Sequence, residues 1–399
     1  MKTVDIITRD MHQLHGANKV TEKLIIGRKY FEDNGFCLRY VISQDGIIEC
    51  AKYKHSTLGI HLCTHKYQGK RRVIETLKQL PIYRMLLVQK CIINKEISAN
   101  DKVYKYFKTI ETKPDIIIFQ DPYTAIHFFR NTNERIKSIF ISHADKDPLE
   151  HVLLGRPSIK ETKVETELRR EFKKLFNYVD EVVTICKSSK KYMKKEYGLD
   201  CPCIINGIEE IWYKDTHKYS EEDKKIHIAI VASIQYRKGQ DLALKALSNL
   251  PKKQREKIVL HIFGGGEGLE KLKKLRERIT LSDDVRIYGP VLEIERYLPK
   301  MDVFMLPSRA DTVPIAIIEA MRAGLPIFAS HVGEIPNMVH GCGDFIEATT
   351  ESIFELYMRL INNEYDLVEL GIKARSKFLE EFQLSAMIGK YSDVLKGLE

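Results

Sequence analysis

Short apolar, β-branched runs recur along the chain, separated by longer stretches with helical spacing. In the first half the runs fall at residues 4–7, 115–119, 138–141 and 182–185. In the second half they fall at 228–231, 259–263, 285–288, 303–306 and 327–329. Several are unbroken apolar runs rather than alternating ones, which is the pattern of parallel strands covered on both faces. Residues 239–249 and 268–281 show helical spacing between strands. Strand–helix alternation over this length predicts an α/β protein with parallel sheets. A boundary is expected at 206–225, where Asn206-Gly207 precedes a polar stretch. The last stretch, 382–398, has helical spacing and no strand pattern. No repeat or low-complexity segment interrupts the alternation.

Length and composition sharpen this picture. A chain of 399 residues is long for one hydrophobic core and comfortable for two. With 44% apolar and 30% charged residues it is neither a disordered tail nor a membrane bundle. The most apolar stretch, 80–93, is broken by Arg84 and Lys90. Met1-Lys2 leads straight into a strand-like run, so no leader is expected. The eight cysteines include no CxxC pair and no zinc-like spacing; Cys201-Pro202-Cys203 and His340-x-Cys342 read as loop thiols. The expected location is the cytoplasm, at or near the inner face of the membrane, with no metal or cofactor.

Charge separates the halves. The net charge is +9, but residues 1–200 hold 37 Lys and Arg against 25 Asp and Glu, and residues 201–399 hold 27 against 30. Residues 51–113 alone hold 14 against 4. Such an excess attracts anionic partners. Cations mixed with bulky apolar residues at 66–72 and 83–90 suit either an anionic lipid surface or ordinary solvated helix faces. No nucleic-acid-binding motif is present, so nucleic acid is not expected as a partner.

The candidate chemistry lies mostly in the second half. Residues 307–326 follow the strand at 303–306, enter a helix near Ile315 and stop near Gly324. Asp311 falls in the loop at a strand's carboxyl end, where open α/β sheets bind ligands. Glu319 follows after seven intervening residues, just over a turn into the helix. Backbone amides of Val313 and Ile315 face electronegative groups at the helix start, where Pro314 has no amide hydrogen to give. Arg237-Lys238-Gly239 follows the strand at 228–231. The run Phe263-Gly264-Gly265-Gly266-Glu267-Gly268 lacks the GxGxxG spacing, which argues against dinucleotide binding.

The block 307–326 resembles the signature of family 4 glycosyltransferases: an acid, seven residues, Glu, then Ala-Met and Gly-x-Pro. The resemblance implies the GT-B fold, two Rossmann-like domains with parallel sheets facing each other across a central cleft. It implies an acceptor domain over residues 1–208, completed by a helix at 382–399, and a donor domain over 209–381. It also implies roles. Glu319 binds the nucleotide ribose and Asp311 the donor sugar, Arg237 and Lys238 hold the diphosphate, and Val291 lies by the nucleobase. Gly16, in His15-Gly16-Ala17-Asn18, is similar to the loop that closes on the donor phosphates. His143, in Ser142-His143-Ala144-Asp145, is placed near the sugar; Asp145 is a weaker candidate. His143, Asp311 and Lys238 form the implied catalytic set. The chain departs from the commonest family form in five places: Asp at 311, Thr312-Val313-Pro314 in place of Gly-x-Gly, Ser233 where an Arg is usual, His15 in place of a Gly, and Cys186 where Ser is usual.

The implied reaction is retaining transfer from a nucleotide sugar (a UDP- or GDP-sugar) to an anionic glycan or lipid-linked acceptor, in polysaccharide or glycolipid synthesis. Two other readings stay open. One is a GT-B nucleotide-sugar epimerase or hydrolase; the other is a non-catalytic GT-B partner subunit.

Overall fold

The computed structural model describes residues 1–9, 16–53, 86–132, 134–149, 153, 157–213, 216–281 and 283–398. His15, the cationic run 66–72 and most of the stretch 51–113 lie outside them. The chain divides into two compact units, Met1–Ile205 with Met387–Glu399, and Asn206–Ala386.

The first unit holds β1 (Lys2–Ile7), β2 (Phe36–Ser43), β3 (Gly46–Glu49), β4 (Ile116–Phe119), β5 (Lys137–Ser142) and β6 (Glu181–Thr184). Their order is β3-β2-β1-β4-β5-β6. All neighbours pair in parallel except β2 and β3, which form an antiparallel edge. The second unit holds β7 (Ile226–Val231), β8 (Ile258–Phe263), β9 (Val285–Gly289), β10 (Val303–Leu306), β11 (Ile327–Ser330) and β12 (Gly343–Ile346). Its order is β12-β11-β10-β7-β8-β9, parallel throughout. Each sheet therefore reverses direction of winding once, between β1 and β4 in one and between β7 and β10 in the other. Such switch points open a crevice at the carboxyl ends of the strands.

Three strands were not anticipated from the pattern: β2, β3 and β12. In β2 a charged residue, Arg39, interrupts the apolar run. It is accommodated by Asp5 of β1, which is fully buried and accepts Arg39 Nε at 3.0 Å and Nη2 at 2.7 Å. Burial pushes the Asp5 carboxyl up, and the guanidinium pulls it back down. The edge strands β3 (Gly46–Glu49) and β12 (Gly343–Ile346) each start with glycine and include a charged residue, so neither is an unbroken apolar run.

In the second unit alternate residues of each strand face opposite ways. Ile228, Ile230, Leu260 and Ile262 join Leu244, Leu247, Ile353 and Tyr357 in one buried cluster. The other face carries His227 of β7 and His261 of β8, both almost fully buried. His227 Nε2 lies 3.0 Å from Asp223 Oδ1, and His227 Nδ1 lies 2.8 Å from His261 Nε2. His261 Nδ1 lies 2.9 Å from the Tyr288 hydroxyl. Every hydrogen in this line is placed if both rings are neutral: each Nε2–H donates towards Asp223, and the phenol donates to His261 Nδ1. Tyr219 and Tyr288 stack on the His261 ring.

Burial, reinforced by His227, pushes His261 down to about 3. The unfolded chain, with a histidine value of about 6.5, then takes up a proton that the folded chain refuses between those values. Stability from this group is complete above about pH 6.5 and declines as pH falls towards 3. We expect the melting temperature to drop more steeply between pH 7 and pH 5 in the wild type than in the double variant His227→Phe/His261→Phe, measured by calorimetry.

Candidate functional site

The switch point of the second sheet is built from two loops. One runs from the end of β7 to the helix Gln240–Asn249; the other runs from the end of β10 to the helix Ile315–Arg322. The first loop makes one 3-10 turn, Tyr236–Lys238. Gly239 then takes φ +72°, and a Cβ there would stand 1.9 Å from the carbonyl oxygen of Pro307. Only glycine allows the two loops this approach. Gly264, at the end of β8, does the same on the other side, with its missing Cβ 1.9 Å from the carbonyl oxygen of Ala232. Two glycines that read in sequence as plain turns are thus where backbones touch.

Arg309 ties the loops further. Its amide donates to the Arg237 carbonyl at 2.7 Å. Its guanidinium donates to both carboxylate oxygens of Asp241, at 2.8 and 3.0 Å, and to the Tyr236 carbonyl at 2.6 Å. It also lies over the Tyr236 ring, 4.0 Å from the centroid. Sequence reading did not single out Arg309 or Asp241. Only their proximity across 68 positions gives them a role.

Across this junction Lys238 Nζ donates to Asp311 Oδ2. Both side chains are about nine-tenths buried. Burial pushes the Lys238 ammonium below the usual lysine range, the Asp311 carboxylate opposes that, and the Arg237 guanidinium adds to it. Arg237 is half exposed, with Nη1 3.9 Å from Asp311 Oδ1. Asp311 also accepts from Ser308 Oγ at 3.4 Å and from the Thr312 amide at 3.1 Å. Glu319 is buried in the second turn of its helix, which begins at Ile315 with Pro314 as N-cap. The side chains of Val313 and Ile315 are buried beside it in sequence. Val291 is partly exposed, just beyond Gly289-Pro290 at the end of β9. Ser233, where the resemblance expects a cation, uses its carbonyl to accept from buried Gln240 Nε2 at 3.1 Å.

The structure thus brings Arg237, Lys238 and Asp311 together, with Glu319 on the helix that follows the Asp311 loop. The other two expected residues belong to the first unit. Gly16 is the first residue of the helix Gly16–Ile26. His143 follows β5, its Nε2 2.5 Å from Gln120 Oε1. Asp145 is engaged by the Ser188 hydroxyl at 2.6 Å. The Cys186 thiol is buried and donates to the Asp145 carbonyl at 3.3 Å. In the described part of the basic stretch, Lys90 and Lys105 sit 2.7 Å from Glu167 and Asp101. Among the described residues no helix is long and apolar enough to cross a membrane.

The chain is similar to known glycosyltransferases. Residues 214–377 match the family model described as Glycosyl transferases group 1. The amylovoran biosynthesis glycosyltransferase AmsK of Erwinia amylovora is 30% identical over 184 residues, which is 43% of this chain and 45% of that protein. An uncharacterized glycosyltransferase of Methanocaldococcus jannaschii, MJ1069, is 26% identical over 340 residues, 75% of this chain and 85% of its own. The chain spans about half the length of the first curated relatives it matches. Among solved structures, sucrose-phosphate synthase from Thermosynechococcus elongatus superposes with a TM-score of 0.74 at 14% identity, covering 100% of both chains. HepE of Anabaena, solved with UDP and glucose, superposes at 0.65 and 15% identity over 99% of this chain and 100% of its own. The fold is therefore GT-B, a two-domain α/β architecture.

The close approach at Gly239 can be tested by itself. Gly239→Ala adds a Cβ against the Pro307 carbonyl at a left-handed φ, which is expected to cost about 1–3 kcal/mol. Chemical denaturation should show that loss, while Gly198→Ala, at a left-handed position with open space around it, should cost less.

Proposed function

We propose that this chain, whose residues 214–377 form a glycosyl transferases group 1 domain, is a retaining glycosyltransferase. It would move a sugar from a UDP- or GDP-sugar to a glycan or lipid-linked acceptor, in polysaccharide or glycolipid synthesis. The observation that carries the reading is the group of two cations and a carboxylate at the switch point of the second sheet, with a buried Glu one helix turn further on. The printed descriptions of relatives support the same class: AmsK acts in amylovoran biosynthesis and WbnH of Escherichia coli in O-antigen biosynthesis. HepE binds UDP and glucose.

In this reading the donor diphosphate lies against Arg237 and Lys238. Negative charge grows on it as the bond to the sugar breaks, and cations held in a partly buried site stabilise that charge strongly. Asp311 opposite favours the charged form of Lys238 against the effect of burial. Glu319, an acceptor of two hydrogen bonds from neighbouring hydroxyls, takes the ribose. Asp311 takes sugar hydroxyls, and the amides of Val313 and Ile315 assist at the helix start. Gly16 closes on the phosphates, and the base packs near Val291. The acceptor hydroxyl attacks on the face from which the diphosphate departs, and a phosphate oxygen receives its proton. The step needs neither the second carboxylate base of most glycosidases nor a metal. The first unit is assigned the acceptor and supplies His143 near the sugar. Its excess of basic residues favours an anionic acceptor, at the inner face of a membrane in the cytoplasm.

Lys238→Ala and Glu319→Ala are each expected to lower kcat by about a hundredfold or more, measured with a panel of nucleotide sugars and lipid-linked or glycan acceptors. Wild-type rates in both variants would remove the catalytic reading. Turnover of the nucleotide sugar that needs no acceptor would replace it with a hydrolase or epimerase.

A further inference from the structure

The crevice at the switch point of the first sheet contains a residue that the functional reading leaves unassigned. Gln120 is the first residue after β4, and its amide donates to the carbonyl of Ile7 at the end of β1, at 3.0 Å. It therefore sits where the strand order reverses, at the carboxyl ends of β1 and β4. Its side chain is 3% exposed. Gln120 Oε1 lies 2.5 Å from His143 Nε2, at the end of the neighbouring strand β5.

Two consequences follow from donor and acceptor counting. An amide oxygen only accepts, so this contact places a hydrogen on His143 Nε2. The other end of the carboxamide, Nε2, is buried and has no hydrogen-bond partner among the described residues. Buried amide hydrogens in native proteins are almost always satisfied, and leaving one unpaired is costly. An acceptor on a bound ligand would satisfy it.

Gln120 is also held rigidly. Asp121, next in sequence, caps the helix Pro122–Asn131, accepting from the Thr124 amide at 2.8 Å and its hydroxyl at 2.9 Å. The Thr124 hydroxyl is also 3.1 Å from Asn100 Oδ1, which accepts from Gln44 Nε2 at 3.2 Å. Asn100 and Thr124 are buried. This network anchors the backbone where β4 ends.

We infer that Gln120 is a positioning residue: its carboxamide fixes the hydrogen of His143 on Nε2 and offers its own N–H to a hydroxyl of the bound sugar. The inference rests on the proposed glycosyl transfer for its sugar, but not for the His143 pairing. It is tested with three forms of the full chain. In the wild type, long-range 1H–15N spectra of the His143 ring, assigned by their loss in His143→Asn, should show the hydrogen on Nε2. Gln120→Leu should lose that preference and lower kcat by about tenfold or more, with the melting temperature little changed. Gln120→Glu keeps an acceptor opposite the ring but has no amide hydrogen. It should restore the ring state and much of kcat, yet raise KM for the nucleotide sugar several-fold.

A His143 hydrogen on Nδ1 in the wild type, or wild-type kcat in folded Gln120→Leu, would overturn the positioning role. An unchanged KM in Gln120→Glu would overturn the contact to the sugar. Absence of any transfer by the wild type would remove the sugar contact together with the proposed function, while the ring spectra would still decide the pairing.

Discussion

The contact between Lys238 and Asp311 is the constraint on which the second unit's site depends. It joins the loops that leave two adjacent parallel strands in opposite directions of winding. Bringing an ammonium and a carboxylate out of water is unfavourable unless they meet in good geometry with further hydrogen bonds. The surrounding chain supplies that geometry. Gly239 removes the atom that would hold the loops apart. Arg309 spans the gap and is itself neutralised by Asp241. Ser308 and the Thr312 amide use the remaining acceptor capacity of Asp311. Arg237 then remains as a half-exposed cation beside a paired charge, which gives the junction a surplus of positive charge suited to an anion.

The two sheets use the same winding order but equip their switch points differently. The second collects charge: cations from one loop and a carboxylate from the other. The first collects hydrogen-bonding polar groups, Gln120 and His143, backed by the Asn100–Thr124–Asp121 network. A crevice with surplus cations suits a diphosphate, and one lined by hydrogen-bonding groups suits hydroxyls. The division fits the roles proposed for nucleotide and sugar. It also reframes the net charge of the chain, because the cationic surplus at the second site is local, within a half that is slightly acidic in total.

Much of the architecture was legible in the sequence because buried parallel strands are unbroken apolar runs. The runs of β7, β10 and β11 announced themselves this way, while β9 alternates around Arg286. Arg237, Lys238, Asp311 and Glu319 were singled out because the segments that hold them resemble the family signature. What stayed hidden depends on partners distant in sequence. Arg39 disguised β2, since nothing local reveals that Asp5 waits on the next strand. The line Asp223–His227–His261–Tyr288 needs four elements aligned before any of its residues looks unusual. Gln120 was passed over as the end of a strand, and only its contact with His143 distinguishes it. Nothing local distinguishes Arg309 or Asp241 until the loops are folded together.

The central claim is that the Lys238–Asp311 junction receives the diphosphate of a nucleotide. Isothermal titration of the wild-type protein and of Lys238→Met with UDP and with GDP tests it without requiring an acceptor. The account predicts binding of one of the two nucleotides by the wild type. It predicts that Lys238→Met weakens that binding by about tenfold or more, equivalent to about 1.4 kcal/mol, with the difference shrinking as salt is raised. Equal affinity of wild type and folded variant, or no binding of either nucleotide by the wild type, would contradict it.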